Sequence, residues 1–224
     1  MRKLLLKTVN ADMTAHGDFV WPRSGEVLSD KWNPDPVCGD GLHGALHGCG
    51  DGSMFNWSDD AVWIVFEAIG EVVEFDGKAK CSAGNVLYAG DRKTATDLIM
   101  AECGSVPCIG AFIVGGDRST VSGGDWATVS GGDWATVSGG DWATVSGGVG
   151  ATVSGGVGAT VSGGNWATVS GGDVATVSGG DGAILSVKWH EGERYRIAVA
   201  YVGEDGIEPN VKYRCKKGTF VVAE

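Results

Sequence analysis

GGDWATVSGGDWATVSGGDWATVSGG, residues 123–148, writes one octapeptide three times without a change. The same frame extends in both directions. GGDRSTVS (115–122) precedes it, and GGVGATVS twice (147–162), GGNWATVS (163–170), GGDVATVS (171–178) and a worn GGDGAILS (179–186) follow. A short fixed period with atypical first and last copies marks a quasi-one-dimensional array whose ends require caps.

Within each unit the Gly-Gly pair suits a sharp corner, because glycine reaches positive φ without steric cost. The remaining W-A-T-V-S alternates as a short strand. Ala127 and Val129 are expected to face the interior, and Trp126, Thr128 and Ser130 the outside. Eight residues are too few to enclose a core in one turn. Two units make a sixteen-residue coil with two strands and two corners, and coils stack at about 4.8 Å. The nine units then give about four and a half coils and a rod roughly 20 Å long. Residues sixteen apart stack in this arrangement, Trp126 over Trp142 on one side and Trp134 towards Trp166 on the other.

Side-chain rows follow from the winding. Asp117, Asp125, Asp133, Asp141, Asp173 and Asp181 stand against a single Arg118. An aspartate after a glycine corner satisfies turn amides; alternatively, acidic rows imitate the phosphate backbone of DNA. Thr120, Thr128, Thr136, Thr144, Thr152, Thr160, Thr168 and Thr176 form outward rows of the kind that organise water on ice-binding solenoids, although neighbouring Trp is expected to interrupt a flat surface. Calcium binding needs a nonapeptide with an additional glycine, so this period excludes it.

The 224 residues carry 39 Gly, 43% hydrophobic residues and a net charge of −11. The glycine is periodic, which favours a folded array over low-complexity disorder. The acidic balance disfavours direct binding to nucleic acid or anionic lipid and favours a basic partner. Lys7, Asn10 and Asp12 cut the first apolar run before it reaches the length of an export signal. No stretch approaches a membrane span, so a cytoplasmic protein is expected.

Residues 1–114 read as an α+β capping domain. Strands are expected at 3–9, 61–68, 71–75, 85–89 and 109–114, and a helix over 91–103 stopped by Gly104. Its oddest passage is PDPVCGDGLHGALHGCGDG (34–52). Cys38, His43, His47 and Cys49 are zinc-type donors in a C-x4-H-x3-H-x-C spacing that matches no known finger, and the dense glycine reads as a tight surface loop. A catalytic Cys paired with His and Asp40 or Asp51 lacks a nucleophile motif around it. No cofactor is implied. The six cysteines read as reduced thiols, with Cys103 and Cys108 the pair that an oxidising compartment would join.

Residues 187–224 read as a C-terminal β cap, a meander of strands at 194–202, 211–215 and 219–223. It would shield the last rung of the array from edge-to-edge association. Lys188, Arg194, Arg196, Lys212, Arg214, Lys216 and Lys217 collect here, a polarity that would align copies head to tail.

The expected fold is mainly β: an octapeptide-repeat β-solenoid (115–186) with sixteen residues per coil, between an N-terminal α+β domain and a C-terminal β meander. VCGDGLHGALH (37–47), the array and the segment from Ala183 to Glu224 together resemble phage and prophage octapeptide-repeat β-solenoid proteins with a CxxGLHA-like N-terminal domain of unknown function. The resemblance implies a phage or prophage origin and an infected or lysogenic host cell, and it carries no established activity. On this reading the chain is a noncatalytic accessory protein, with counter-defence as one use. It would bind a host or virion protein through Trp126, Trp134, Trp142, Trp166, Asp125, Asp133, Asp141, Thr128, Thr136 and Thr144. The alternatives are a self-assembling structural virion protein, a DNA mimic, an ice-binding solenoid, and an enzyme housed in the N-terminal domain.

Overall fold

Leu4, Leu5 and Leu6 are all fully buried in strand β1 (Leu4–Val9). Successive side chains of a strand point to opposite faces, so β1 must be covered on both. The reason is visible in the computed structural model, which describes residues 2–104 and 107–223. The chain divides into two units, Met1–Ile109 and Gly110–Glu224.

In the first unit β1 pairs antiparallel with β3 (Leu42–Leu46) and β4 (Val62–Phe75), after a short β2 (Gly25–Leu28). A long β5 (Lys78–Gly90) pairs with β2, β3 and β4. Strands β1, β3, β5 and β4 therefore close into a ring, which leaves them no unpaired edge. Leu5, Leu42, Ile64, Phe66, Ala79 and Cys81 are among the buried residues of its core. Helix α1 (Arg92–Cys103) follows, with Ala95 and Ile99 buried. The Asp91 carboxylate caps it by accepting from the Thr94 amide at 2.9 Å, and Gly104 ends it at φ 79°.

Three sequence expectations change here. The strands read at 61–68 and 71–75 are one strand, with a bulge between Ile69 and Val72 where Gly70 takes φ 84°. The glycine-rich passage read as a surface loop contains β3, whose Leu42 and Ala45 are buried. Gly44 is needed inside that strand, since a Cβ there would stand 2.9 Å from the Leu6 carbonyl oxygen. The segment at 109–114, read as the last strand of the first domain, instead supplies β6 (Phe112–Val114) to the second unit.

That unit winds through β7 (Thr120–Ser122), β8 (Thr128–Ser130), β9 (Thr136–Ser138), β10 (Thr144–Gly147), β11 (Thr152–Gly155), β12 (Thr160–Gly163), β13 (Thr168–Gly171), β14 (Thr176–Gly179) and β15 (Ile184–Glu191). Even-numbered strands β6 to β14 form one parallel sheet and odd-numbered β7 to β15 the other. Partners are sixteen residues apart, as in Val129 with Val145 and Val137 with Val153. The ten strands make five coils, half a coil more than the octapeptide frame gives. The extra half-turn is hidden in IGAFIV: Gly110, Ala111 and Ile113 occupy the places that Trp126, Ala127 and Val129 occupy one coil later.

The core is a double column of Ala and Val, including Ala127, Val129, Ala143, Val145, Ala159 and Val161, all at 1% exposure or less. Its thinness explains the first glycine of each pair. A Cβ on Gly131 would lie 2.6 Å from Val137 Cγ2 and 2.8 Å from Ala135 Cβ. The second glycine is set by coil stacking, since a Cβ on Gly140 would lie 2.7 Å from the Asp125 backbone nitrogen. Neither glycine of the pair takes positive φ, contrary to the sequence expectation. The left-handed position is the fourth of each unit, occupied by Arg118, Trp126, Trp134, Trp142, Trp166 and Val174 at φ 54–60° and by Gly150, Gly158 and Gly182 at φ 65–68°.

The last rung of each sheet is covered by antiparallel strands. β16 (Arg194–Tyr201) pairs with β15 from Ile184 to Glu191. β17 (Tyr213–Lys216) pairs with β14, and β18 (Thr219–Val222) with β17. The C-terminal strands thus cover both sheets, a single strand on one and a hairpin on the other.

Candidate functional site

The outer faces of the solenoid are built from the first and third residues of each T-V-S strand. Parallel pairing in register stacks threonine on threonine and serine on serine, as in Thr120, Thr136, Thr152 and Thr168. Rungs repeat at about 4.8 Å, and the step from Thr to Ser along a strand is about 6.6 Å. The result is a two-dimensional lattice of hydroxyls on a backbone fixed from both sides. Threonine is stiff about χ1, so the rows are ordered before anything binds.

The two faces differ. On the odd-strand face Thr120, Thr136, Thr152 and Thr168 are all exposed, backed by Ser122, Ser138, Ser154 and Ser170. On the even-strand face the row is shorter. Thr176 is buried and accepts from Arg214 Nε at 3.0 Å, which leaves Thr128, Thr144 and the half-buried Thr160. Among the described residues no protein hydrogen bond engages the hydroxyls of Thr120, Thr136, Thr152 or Thr168. The serines behave otherwise: Ser170 Oγ donates to Val153 O at 3.4 Å and Ser186 Oγ to Val169 O at 3.3 Å. Thr rows are therefore open to water, while part of each Ser row is tied to the preceding coil.

The candidate aspartates and tryptophans sit at the corners. Asp133 Oδ1 accepts from the Val149 amide at 2.8 Å, Asp125 Oδ1 from Asp141 at 2.9 Å, and Asp141 Oδ1 from Val157 at 2.8 Å. Asn165 does the same for Asp181 at 3.0 Å. These side chains run a ladder from coil to coil. Trp126 stacks on Trp142 with ring centroids 5.7 Å apart and planes 18° from parallel. Trp134 does not stack on Trp166. It lies over Gly150 of the next coil, Trp142 over Gly158 and Trp166 over Gly182; a Cβ on any of these glycines would be within 2.6–2.7 Å of the ring. The rings run along the corner columns. Trp134, Trp142 and Trp166 remain 63%, 51% and 69% exposed.

The Cys/His donors of the first unit are not brought together. Cys38 is exposed and accepts from Lys78 Nζ at 3.3 Å. His43 lies in β3 with a buried, unpartnered Nε2. His47 Nδ1 is 3.0 Å from Cys103 Sγ, and Cys49 Sγ points to the His47 carbonyl at 3.7 Å. Among the described residues no group of three or more His, Cys, Asp or Glu is placed to hold a metal. All six cysteines are free thiols, Cys103 and Cys108 included. Burial pushes Cys81 up to about 11 and Cys108 up to about 12, which makes both poor nucleophiles. Among the described residues no helix is long and apolar enough to cross a membrane. Sequence reasoning missed Lys7, a cation in a leucine strand, which burial lowers to about 8. Only its place inside an apolar run signalled it.

Comparison with known proteins adds two findings. Residues 3–101 match a family model described as a domain of unknown function (DUF7666). The chain is also similar to ice nucleation proteins: 34% identical over 111 residues to one from Xanthomonas campestris pv. translucens, covering 48% of this chain and 7% of that protein. It is 33% identical over 103 residues to one from Pseudomonas syringae (45% and 9%), and 32% identical over 100 residues to the ice nucleation protein InaU of Pantoea ananas (43% and 10%). The chain spans a tenth or less of the length of these relatives. No solved structure matches. Just under half of this chain is thus similar in sequence to proteins named for ice nucleation.

Proposed function

We propose that the solenoid is an ice-binding module that orders water on its odd-strand face. The observation that carries this reading is the rank of four exposed Thr–Ser rungs with unengaged Thr hydroxyls, in a chain whose curated relatives are ice nucleation proteins. The lattice spacings, about 4.8 Å and about 6.6 Å, are close to the oxygen repeats of ice. Water held on them is therefore nearly in register with a crystal plane. The Thr methyls exclude disordered solvent, and the rigid ladder spares the entropy of arranging the site on contact. A face of four rungs is small beside a freezing nucleus, so its action is adsorption to ice; a longer array of the same face would template freezing.

The test is thermal hysteresis and ice-crystal habit with the full chain. Thr136→Lys with Thr152→Lys breaks the middle of the odd-strand face without touching the core, and activity is expected to fall to the level of a serum albumin control. The matching change on the other face, Thr128→Lys with Thr144→Lys, should retain most of it. Deleting 131–146 removes one coil, rejoins equivalent residues and should weaken activity while the fold persists. Wild-type protein indistinguishable from albumin, or full activity in the Thr136/Thr152 variant, sinks the proposal.

A further inference from the structure

A cavity of about 440 Å³ opens on the first unit, walled by Leu6, Ala45 and Phe55 and carrying Lys7, His43 and Lys78. Its size falls in the range that encloses small organic molecules. The chain as a whole has a net charge of −11, yet the charged side chains lining this cavity are ammonium groups and include no carboxylate. Lys7 Nζ lies 5.6 Å over the Trp21 ring and has no ion-pair partner among the described residues. Lys78 Nζ stands 5.2 Å over Phe75 and donates to Cys38 Sγ. Lys80, fully buried, ties the adjoining segment to the sheet by donating to the carbonyls of Val37 at 2.9 Å and Gly39 at 3.2 Å.

His43 completes the arrangement. Its Nε2 is buried without a hydrogen-bond partner, an uncommon and costly state for an imidazole. Burial first, then the charges of Lys7, Lys78 and Lys80, lower His43 to about 4, so the ring is neutral at ordinary pH. A desolvated Lys7 ammonium with no ion-pair partner among the described residues and an orphaned ring nitrogen beside an apolar wall are both unfavourable for folding alone. One occupant would relieve them together.

We propose that this cavity is a ligand site for a small organic anion. Its charged group faces Lys7 and Lys78, its apolar body packs on Leu6, Ala45 and Phe55, and a hydrogen-bonding group meets His43 Nε2. The site stands independently of the reading of the solenoid.

The test uses the full chain and two fluorescent probes with the same body: 8-anilinonaphthalene-1-sulfonate and the neutral N-phenyl-1-naphthylamine. The sulfonate is expected to saturate a single site and to bind at least about tenfold more tightly than the neutral probe, as a charge-assisted contact predicts. Lys7→Met and Lys78→Met should each weaken the sulfonate by about fivefold or more and leave the neutral probe unchanged, whereas Lys93→Met, on the helix surface, should do nothing. Saturating sulfonate should slow alkylation of the exposed Cys38 thiol by iodoacetamide, read by mass spectrometry, which places the probe in this cavity. Displacement by adenosine monophosphate or by salicylate then separates a phosphate from a carboxylate preference. Equal binding of the two probes, or unprotected Cys38, overturns the proposal. So does unchanged affinity in Lys78→Met, a rim variant that decides the matter should Lys7→Met fold poorly.

Discussion

The corner tryptophans offer a choice between a binding surface and a structural seal, and Trp142→Gly decides it by magnitude. Trp142 is 51% exposed, so about half of a ring that buries roughly 200 Å² when enclosed is covered. About 100 Å² at about 25 cal/mol per Å² amounts to roughly 2.5 kcal/mol. Losing the stack with Trp126 adds about 0.5–1 kcal/mol. Against this, glycine relieves the left-handed strain of a φ of 59°, about 1 kcal/mol, and gives back roughly the same through the greater freedom of the unfolded chain. The net expectation is a loss of about 3–3.5 kcal/mol. The melting midpoint by circular dichroism should then fall by roughly 6–14 °C. Exchange of the Gly158 amide, which donates to Asp173 O at 2.9 Å beneath the ring, should accelerate. A variant that melts at or above wild type, with Gly158 still protected, would refute the seal and return the tryptophans to the role of a binding surface.

Two further outcomes follow from individual contacts. Asp133→Ala removes the acceptor of the Val149 amide and should cost about 1 kcal/mol in urea unfolding, whereas Asp133→Asn should stay near wild type, because Asn165 already serves in the same place. Equal losses in the two variants would mean that charge and not the hydrogen bond matters. Lys7 titrates at about 8 in the folded chain against about 10.4 when unfolded. The unfolded state therefore binds more protons between those values, and stability should rise as pH increases from about 8 to about 10. Lys7→Met should lack that rise and be the more stable protein at pH 7; parallel pH profiles of the two would contradict the assigned burial.

The period was legible because repetition is a one-dimensional signal. Sixteen-residue coils, inward Ala and Val, the Trp126–Trp142 stack and the outward Thr rows all follow from counting in eights and from strand alternation. Aspartate as an acceptor for turn amides was legible too, but the sequence could not say that the amide belongs to the next coil. Two things escaped it. The first half-turn, 110–114, shares the backbone of the repeat but almost none of its letters, since Phe112 and Val114 stand where Thr and Ser stand elsewhere. The glycines were assigned to the wrong cause: local propensity speaks of φ, whereas their absent Cβ atoms answer a clash with Val137 or with the backbone of the preceding coil.

In the first unit the balance is reversed. Helix α1 announced itself through the helical spacing of Ala95, Leu98, Ile99 and Glu102 and the stop at Gly104, because both are local signals; that Asp91 caps it emerges only from the structure. The ring of strands and the cavity did not, because Leu6, Ala45 and Phe55 come from separate elements whose neighbourhood only strand pairing decides. His43 and Cys38 looked like partners in sequence, yet β3 turns one into the cavity and leaves the other at its rim beside Lys78. Spacing along the chain determined what repeats; the tertiary structure alone determined which cations share an apolar wall, because desolvation and charge act through space and not along the backbone.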